Sequence, residues 1–270
     1  MEIECERDAI IAKGRRPSVI SQGMSGAYVY SRDAREITSN IAIDATLRRA
    51  AAQNHYIRGA KTALAVQRDD FQEKVKYRKA GATILFVVDA SGSMRSRQRI
   101  SEAKAAVIGL LMEAYKQRDR VGLITFRGIG AELILSPTSS VVMARNLLND
   151  IPCGGKTPLG SGLSLALQTL KIERERDKDA LLLMVMLSDG RANQSIHNDP
   201  VNEALSIARK IARSKIESAF LDTDEDWHEP GIGRKLCKHM NGQYFSLGQV
   251  KSTRIIRIVN GICLNKNKFR

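Results

Sequence analysis

The sequence predicts an α/β fold, with a doubly wound, mainly parallel sheet flanked by helices and preceded by an N-terminal extension. Two observations support this prediction. From about residue 82 onward, short and continuously apolar runs alternate with amphipathic stretches of helical periodicity. The chain is 270 residues long, which is enough for one large α/β domain with an extension.

The predicted strands are runs of apolar residues without a polar alternate position. They lie at residues 82–88, 121–126, 180–187 and 216–221. Strands that are apolar at every position are typical of a parallel sheet covered by helices on both faces. Because helical stretches separate the runs, right-handed crossovers between parallel strands are expected.

The predicted helices repeat apolar residues at a spacing of three and four. These positions are Ala103, Ala106, Val107, Leu110, Leu111 and Ala114, then Leu159, Leu163, Ala166, Leu167 and Leu170, and finally Ala204, Ile207, Ala208 and Ile211. Each set forms one apolar stripe that can pack on a sheet.

The first 80 residues have a different pattern. A Gly/Ser/Tyr-rich stretch at 21–31 precedes one helical pattern from about Ile43 to Gln53, and a basic run leads into the first strand. We interpret residues 1–80 as an extension with one helix, packed on a main domain at 81–250. Residues 251–270 are expected to form a C-terminal helix or tail.

Composition excludes several classes of protein. The sequence is 43% hydrophobic and 27% charged, which is unlike a disordered or collagen-like chain. The longest apolar run, at 180–187, is too short to span a bilayer, and the acidic N-terminus does not resemble a signal peptide. The four cysteines are scattered without a CxxC pair. We therefore expect a cytoplasmic protein with no membrane association, no disulfide framework and no zinc site.

The net charge of +14 raises nucleic acid as a partner. However, the basic residues are spread along the chain and aromatic residues make up only 5%, which leaves few stacking surfaces for single strands. The charge is better interpreted as a solvated surface that favours acidic partners. Arg95, Arg97 and Arg99 form one short basic cluster, which we expect to steer such partners.

Oxygen-bearing side chains follow the predicted strands. Asp89, Ser91 and Ser93 come at the end of the first strand, and Asp189 follows the run at 180–187. Thr157 directly precedes a helical pattern between them. Ligand sites of doubly wound sheets form at the carboxyl ends of strands, so these residues are expected to meet at one edge. Hydroxyls, carboxylates and retained waters suit Mg²⁺, and Mn²⁺ would also fit.

Each of these segments also has an ordinary structural interpretation. Asp-x-Ser-x-Ser after a strand is compatible with a turn, and Asp189-Gly190 is a common turn dipeptide. Thr157-Pro158 suits an N-cap followed by the first residue of a helix. The occurrence of all three segments, two of them after buried strands, favours the metal site. Two carboxylates do not fill the coordination shell of the ion. A coordination position is therefore left open for an acidic side chain from outside this set of residues.

The segments DASGSM (89–94), GGKTPL (154–159) and SDG (188–190) resemble the metal-ion-dependent adhesion site of von Willebrand factor type A domains. This resemblance, which covers about 81–250, implies that Ser91, Ser93 and Thr157 hold Mg²⁺ through their hydroxyls. It also implies that Asp89 and Asp189 act directly or through water, and that an acidic residue of a partner completes the coordination.

Within that superfamily the chain is similar to the C-terminal part of the magnesium chelatase D subunit and its cobalt-chelatase relatives. The similar segments are 41–51, the basic run into the first strand and GGKTPLGSGL. The resemblance implies a non-catalytic scaffold. Its expected partners are an AAA+ ATPase chelatase subunit and a large tetrapyrrole-binding subunit. The D subunit also has an N-terminal ATPase-like module and an acidic, proline-rich linker, neither of which lies in these residues.

The sequence leaves other functions open. The alternative hypotheses are an adaptor for a different AAA+ ATPase and an RNA-associated type A domain. An ATPase is disfavoured because Asp150 stands where the phosphate-binding motif ending in GGKT would require its first glycine. A G-x-S-x-G motif is not formed around Ser91, and no general base is apparent for a metal-assisted hydrolase. The sequence predicts no catalytic residue.

Overall fold

The structure is a computed structural model. It describes residues 18–20, 26–34, 40–53, 64–79, 81–91, 94–114, 119–148, 151–190, 199–223, 232–247 and 251–265. Two compact units are present, one within residues 17–79 and one within the part of the chain from residue 80 onward.

The first unit contains a small antiparallel sheet and one helix. Strands β1 (Ser18–Ile20) and β2 (Ala27–Asp33) both pair with β3 (Gln72–Lys79), so the strand order is β1-β3-β2. Helix α1 (Ile43–Ala52) lies where the sequence shows its helical pattern. The sheet was not predicted, because its central strand β3 is mostly charged and the apolar stretches of β1 and β2 are shorter than the runs that identify the other strands.

The second unit contains a six-stranded sheet with the order β6-β5-β4-β7-β8-β9. All neighbouring strands are parallel except β5 and β6. The strands are β4 (Ala82–Asp89), β5 (Arg120–Arg127), β6 (Gly130–Thr138), β7 (Leu181–Ser188), β8 (Glu217–Asp222) and β9 (Gln243–Ser246). The four strands predicted from apolar runs and the mainly parallel α/β class are confirmed.

Helices cover both faces of this sheet. They are α2 (Met94–Ala114), α3 (Val141–Leu147), α4 (Leu159–Arg176), α5 (Pro200–Arg213), α6 (Gly233–Met240) and α7 (Ser252–Asn265). One core contains side chains of α2, α3 and α7 and the other contains side chains of α4, α5 and α6. Along β4, Phe86 and Val88 enter the first core, whereas Leu85 and Val87 enter the second. This explains why the strand is apolar at every position.

Sequence patterns missed the edges of the sheet. Strand β6 returns from β5 through the two-residue turn Gly128-Ile129, in which Gly128 has a φ of +63°. A glycine with positive φ is favoured in such tight hairpins. Strand β9 has only four residues and α6 only eight, so neither is long enough to show a clear period.

The strand order places a topological switch point between β4 and β7. The chain leaves β4 into α2 on one face of the sheet, and it leaves β7 toward α5 on the other face. Connections that depart in opposite directions from adjacent parallel strands leave a crevice at the strands' carboxyl ends, where ligands bind in open α/β folds. Asp89 and Ser188 are the last residues of these two strands.

Among the residues that the structure describes, no helix has both the length and the hydrophobicity to cross a bilayer.

A pair of glycine substitutions tests the packing that places α4 on the sheet. A Cβ added at Gly162 would lie 2.7 Å from Cδ1 of the buried Phe126, whereas a Cβ at Gly261 in α7 meets no atom within 4 Å. Gly162→Ala is expected to lower the free energy of unfolding by about 1–3 kcal/mol through overpacking. Gly261→Ala should raise it by up to ~1 kcal/mol through helix propensity. Urea denaturation of both variants measures the difference, and equal effects would contradict this packing.

Candidate metal centre

Asp89 ends β4 with its carboxylate fully buried, at 0% exposure. Three hydrogen bonds reach this carboxylate. The backbone N–H and the hydroxyl of Ser91 both donate to Oδ1, at 2.9 and 2.6 Å, and the hydroxyl of Ser188 donates to Oδ2 at 3.0 Å. The residues that follow two adjacent strands therefore converge on one acidic group.

Thr157 joins this group from a separate segment of the chain. Its Oγ1 lies 2.7 Å from the Oγ of Ser91, and both residues are buried. Helix α4 begins at Leu159 with Pro158 at its N-cap, so the sequence-based alternative of Thr157 as N-cap is not what the structure shows.

The loop that presents Thr157 is fixed by backbone contacts. The N–H of Gly154 donates to the carbonyl of Ala90 at 2.7 Å, and the N–H of Gly128 donates to the carbonyl of Lys156 at 2.8 Å. Gly155 has a φ of +96°, and a Cβ there would lie 3.2 Å from the backbone of Gly128. Glycine at position 155 thus permits the loop to approach the β5–β6 turn closely.

The hydroxyl protons in this cluster point in one direction. Ser91 donates its hydroxyl proton to Asp89 Oδ1, which assigns the proton of the bond between the two hydroxyls to Thr157. On the other side, the N–H of Gly190 donates to Ser188 Oγ at 3.1 Å, and Ser188 donates to Asp89. A hydroxyl oxygen that donates one hydrogen bond can still offer a lone pair to a hard cation, so Ser91 and Thr157 have the chemistry of Mg²⁺ ligands.

Asp189 connects to the cluster through a buried arginine. Arg99 of α2 is 4% exposed, and its Nη1 lies 3.3 Å from Oδ2 of Asp189, a side chain that is 26% exposed. The same guanidinium donates to Thr223 Oγ1 at 3.1 Å and to the carbonyl of Ser91 at 3.3 Å. It therefore contacts residues that follow β4, β7 and β8.

This position corrects one expectation from the sequence. Arg99 is buried within the site and does not steer partners from the surface, because the helix stripe on which it lies faces the carboxyl end of the sheet. Arg97 is exposed, as expected of a surface charge, and the side chain of Arg95 lies outside the described residues.

Burial raises the pKa of Asp89 above its ordinary value and is the largest influence on it. The positive charge of Arg99 and the hydrogen bonds from Ser91 oppose this shift, while the negative charge of Asp189 adds to it. Two carboxylates thus lie close enough for their charges to repel one another, and one of them, Asp89, is fully buried. A bound cation would relieve both costs.

The structure brings Asp89, Ser91 and Thr157 together by direct hydrogen bonds and links Asp189 to them through Arg99. Ser93, the remaining predicted ligand, lies outside the described residues. Sequence reasoning assigned no role to Ser188, although it is the last residue of a strand immediately before Asp189.

The polar side-chain atoms of this cluster are oxygens, which are the ligands that a hard cation prefers. The described part of the chain contains no group of three or more His, Cys, Asp or Glu side chains that could hold a metal. A zinc site would be built from such groups. The cluster at β4 and β7 instead offers hydroxyl and carboxylate oxygens, which fit Mg²⁺.

Two segments of the chain match known protein families. Residues 84–191 match the von Willebrand factor type A domain family, and residues 25–76 match the AAPxQ domain family. An uncharacterized protein of Methanocaldococcus jannaschii is 32% identical over 173 residues, which are 64% of this chain and 99% of that protein. The chain belongs to the von Willebrand factor type A domain family.

The chain is also similar in sequence to subunits of magnesium chelatases. The magnesium-chelatase 67 kDa subunit of Chlorobaculum parvum is 36% identical over 212 residues, covering 74% of this chain and 34% of that subunit. The chain thus spans about a third of the length of this chelatase subunit. The crystal structure of BatB from Bacteroides thetaiotaomicron, at 19% identity, has a TM-score of 0.52 and covers 70% of this chain and 100% of BatB. That likeness concerns the fold alone.

Two buried serines on neighbouring strands test the hydrogen-bond network. Ser188→Ala removes the hydroxyl that donates to Asp89, so one oxygen of the buried carboxylate loses a hydrogen bond. In EDTA, which keeps the site free of metal, the free energy of unfolding should fall by about 1–3 kcal/mol. Ser218 on β8 is the matched control, because its buried hydroxyl has no hydrogen-bond partner among the described residues. Ser218→Ala should be neutral or stabilising. The network is wrong if urea denaturation shows equal effects.

Proposed function

We propose that this type A domain binds Mg²⁺ at its hydroxyl and carboxylate cluster and uses the ion to hold an acidic side chain of a partner protein. The observation that best supports the proposal is the hydrogen-bonded set of Thr157, Ser91 and Asp89 at the switch point. These side chains come from two distant segments, and both hydroxyls are buried beside a carboxylate.

Ser91 and Thr157 would bind the ion through their hydroxyl oxygens. By resemblance to the family, Ser93 belongs to the same set, and Asp89 and Asp189 act directly or through water. Mg²⁺ takes about six oxygen ligands and keeps several waters, so these residues leave a coordination position for a partner's carboxylate. Mn²⁺ suits the same oxygens.

The setting that we propose is an ATP-dependent metal chelatase that acts on a tetrapyrrole. Its support is the similarity to magnesium-chelatase subunits over most of this chain. The domain would be a non-catalytic subunit that contacts an AAA+ ATPase subunit and a large tetrapyrrole-binding subunit. We also propose a cytoplasmic location, which suits the scattered cysteines of the sequence.

Within the chain, we propose residues 81–250 as the type A domain, residues 1–80 as an N-terminal extension and residues 251–270 as a C-terminal helix or tail.

Two threonine substitutions test the metal site by isothermal titration with Mg²⁺. Thr157→Val keeps the shape of the side chain but removes a proposed ligand, so affinity should fall at least about tenfold. Thr169→Val is the matched control, because Thr169 is also buried but bonds the carbonyl of Leu165 within α4. It should leave the affinity unchanged. Equal affinity of Thr157→Val and wild type would contradict the site.

The same variants test whether the ion mediates partner binding. Binding to a chelatase ATPase subunit is measured by pull-down. Binding should require Mg²⁺ and should be lost in Thr157→Val but retained in Thr169→Val. Asp89→Asn, which removes the buried charge with little change in shape, should also lose binding. Binding that persists in excess EDTA would show that the ion does not mediate the contact.

A further inference from the structure

Arg99 is a buried cation inside a site that is proposed to bind another cation. Its guanidinium contacts Asp189 after β7, Thr223 after β8 and the carbonyl of Ser91 after β4. Its Nε has no hydrogen-bond acceptor among the described residues. Burying a charge is costly, and a buried ion pair with an incomplete set of hydrogen bonds adds little stability. Stability alone is therefore a weak explanation for this arginine.

A second arginine of the same domain shows what a structural ion pair looks like here. Arg120, at the amino end of β5, pairs with Glu173 and also donates to the carbonyl of Pro137. It is 27% exposed, so water still solvates its charge, and it lies at the sheet edge opposite to the metal centre. Arg99 differs in both respects, since it is 4% exposed and is joined to the site itself.

The net charge of the cluster suggests a role for Arg99. Asp89 and Asp189 contribute two negative charges, and Arg99 reduces the total to one. With a divalent cation added, the site without Arg99 would be neutral, whereas with Arg99 it has one positive charge in excess. Beside the buried Asp89 and Arg99, where water screens charge poorly, such an excess favours an anionic ligand.

We infer that Arg99 is a positioning and specificity residue that weakens metal binding in order to strengthen carboxylate binding. It orients Asp189 through their ion pair and keeps the metal-loaded site positive, so that an acidic side chain is preferred over water or a neutral group. This inference rests on the proposed metal-dependent function. It adds to that function a residue of this chain, Arg99, that sets the preference of the metal-loaded site for a carboxylate.

The opposite signs of these two effects allow a sharp test with Mn²⁺ as the ion and acetate as the carboxylate. Mn²⁺ affinity is measured by electron paramagnetic resonance of the free ion. Acetate affinity of the Mn²⁺-loaded protein is measured by the loss of water-proton relaxation as acetate displaces water. Arg99→Met should bind Mn²⁺ about tenfold more tightly and acetate at least about fivefold more weakly than wild type.

Three further variants separate charge from structure. Arg120→Met, the matched control, should change neither affinity. Arg99→Lys retains the charge but not the forked geometry, so acetate binding should be largely kept while thermal stability falls. Arg99→Gln removes the charge but keeps a polar side chain of similar length. It provides the same test should Arg99→Met fail to fold.

The outcomes are distinguishable. If wild type does not bind Mn²⁺, the proposed function itself is wrong. If wild type binds Mn²⁺ but Arg99→Met weakens both affinities or changes neither, the metal site stands and the inference about Arg99 is overturned.

Discussion

The buried carboxylate of Asp89 is the constraint on which this domain's site depends. It lies at the carboxyl end of a strand that is covered on both faces, where water cannot solvate its charge. Burial of an ionised group is tolerated only with compensating hydrogen bonds or opposite charge. The hydroxyls of Ser91 and Ser188 supply the hydrogen bonds, and the guanidinium of Arg99 supplies the opposite charge. The surrounding loops are arranged so that these groups reach it.

The requirement for solvation also links distant parts of the chain. Ser91 contacts Thr157, whose loop is held to the turn between β5 and β6 and whose helix packs on Phe126. Arg99 contacts residues after three strands at once. A change in the charge at the centre, such as the arrival of a cation, would therefore act on several surface loops together. Such coupling suits a domain whose proposed task is recognition of a partner.

Much of this arrangement was predictable because the strongest signals in the sequence come from burial. Continuous apolar runs identified β4, β5, β7 and β8, and the rule that ligands lie at strand ends selected Asp89 and Asp189. Arg99 was misjudged because an arginine in a basic cluster is usually exposed, and only the helix orientation shows that it points inward. Ser188 was missed because strand register determines whether a terminal serine faces a neighbouring strand's carboxylate. In the small sheet, β3 is mostly charged and the apolar stretches of β1 and β2 are too short to identify strands.

The most direct test of the central claim is a crystal structure of the protein soaked with Mn²⁺, with the ion located by its anomalous scattering. The account predicts one strong peak at the carboxyl ends of β4 and β7, within direct bonding distance of Ser91 Oγ and Thr157 Oγ1, with Arg99 still paired to Asp189. A peak elsewhere on the domain, or none at this edge under saturating Mn²⁺, would contradict it.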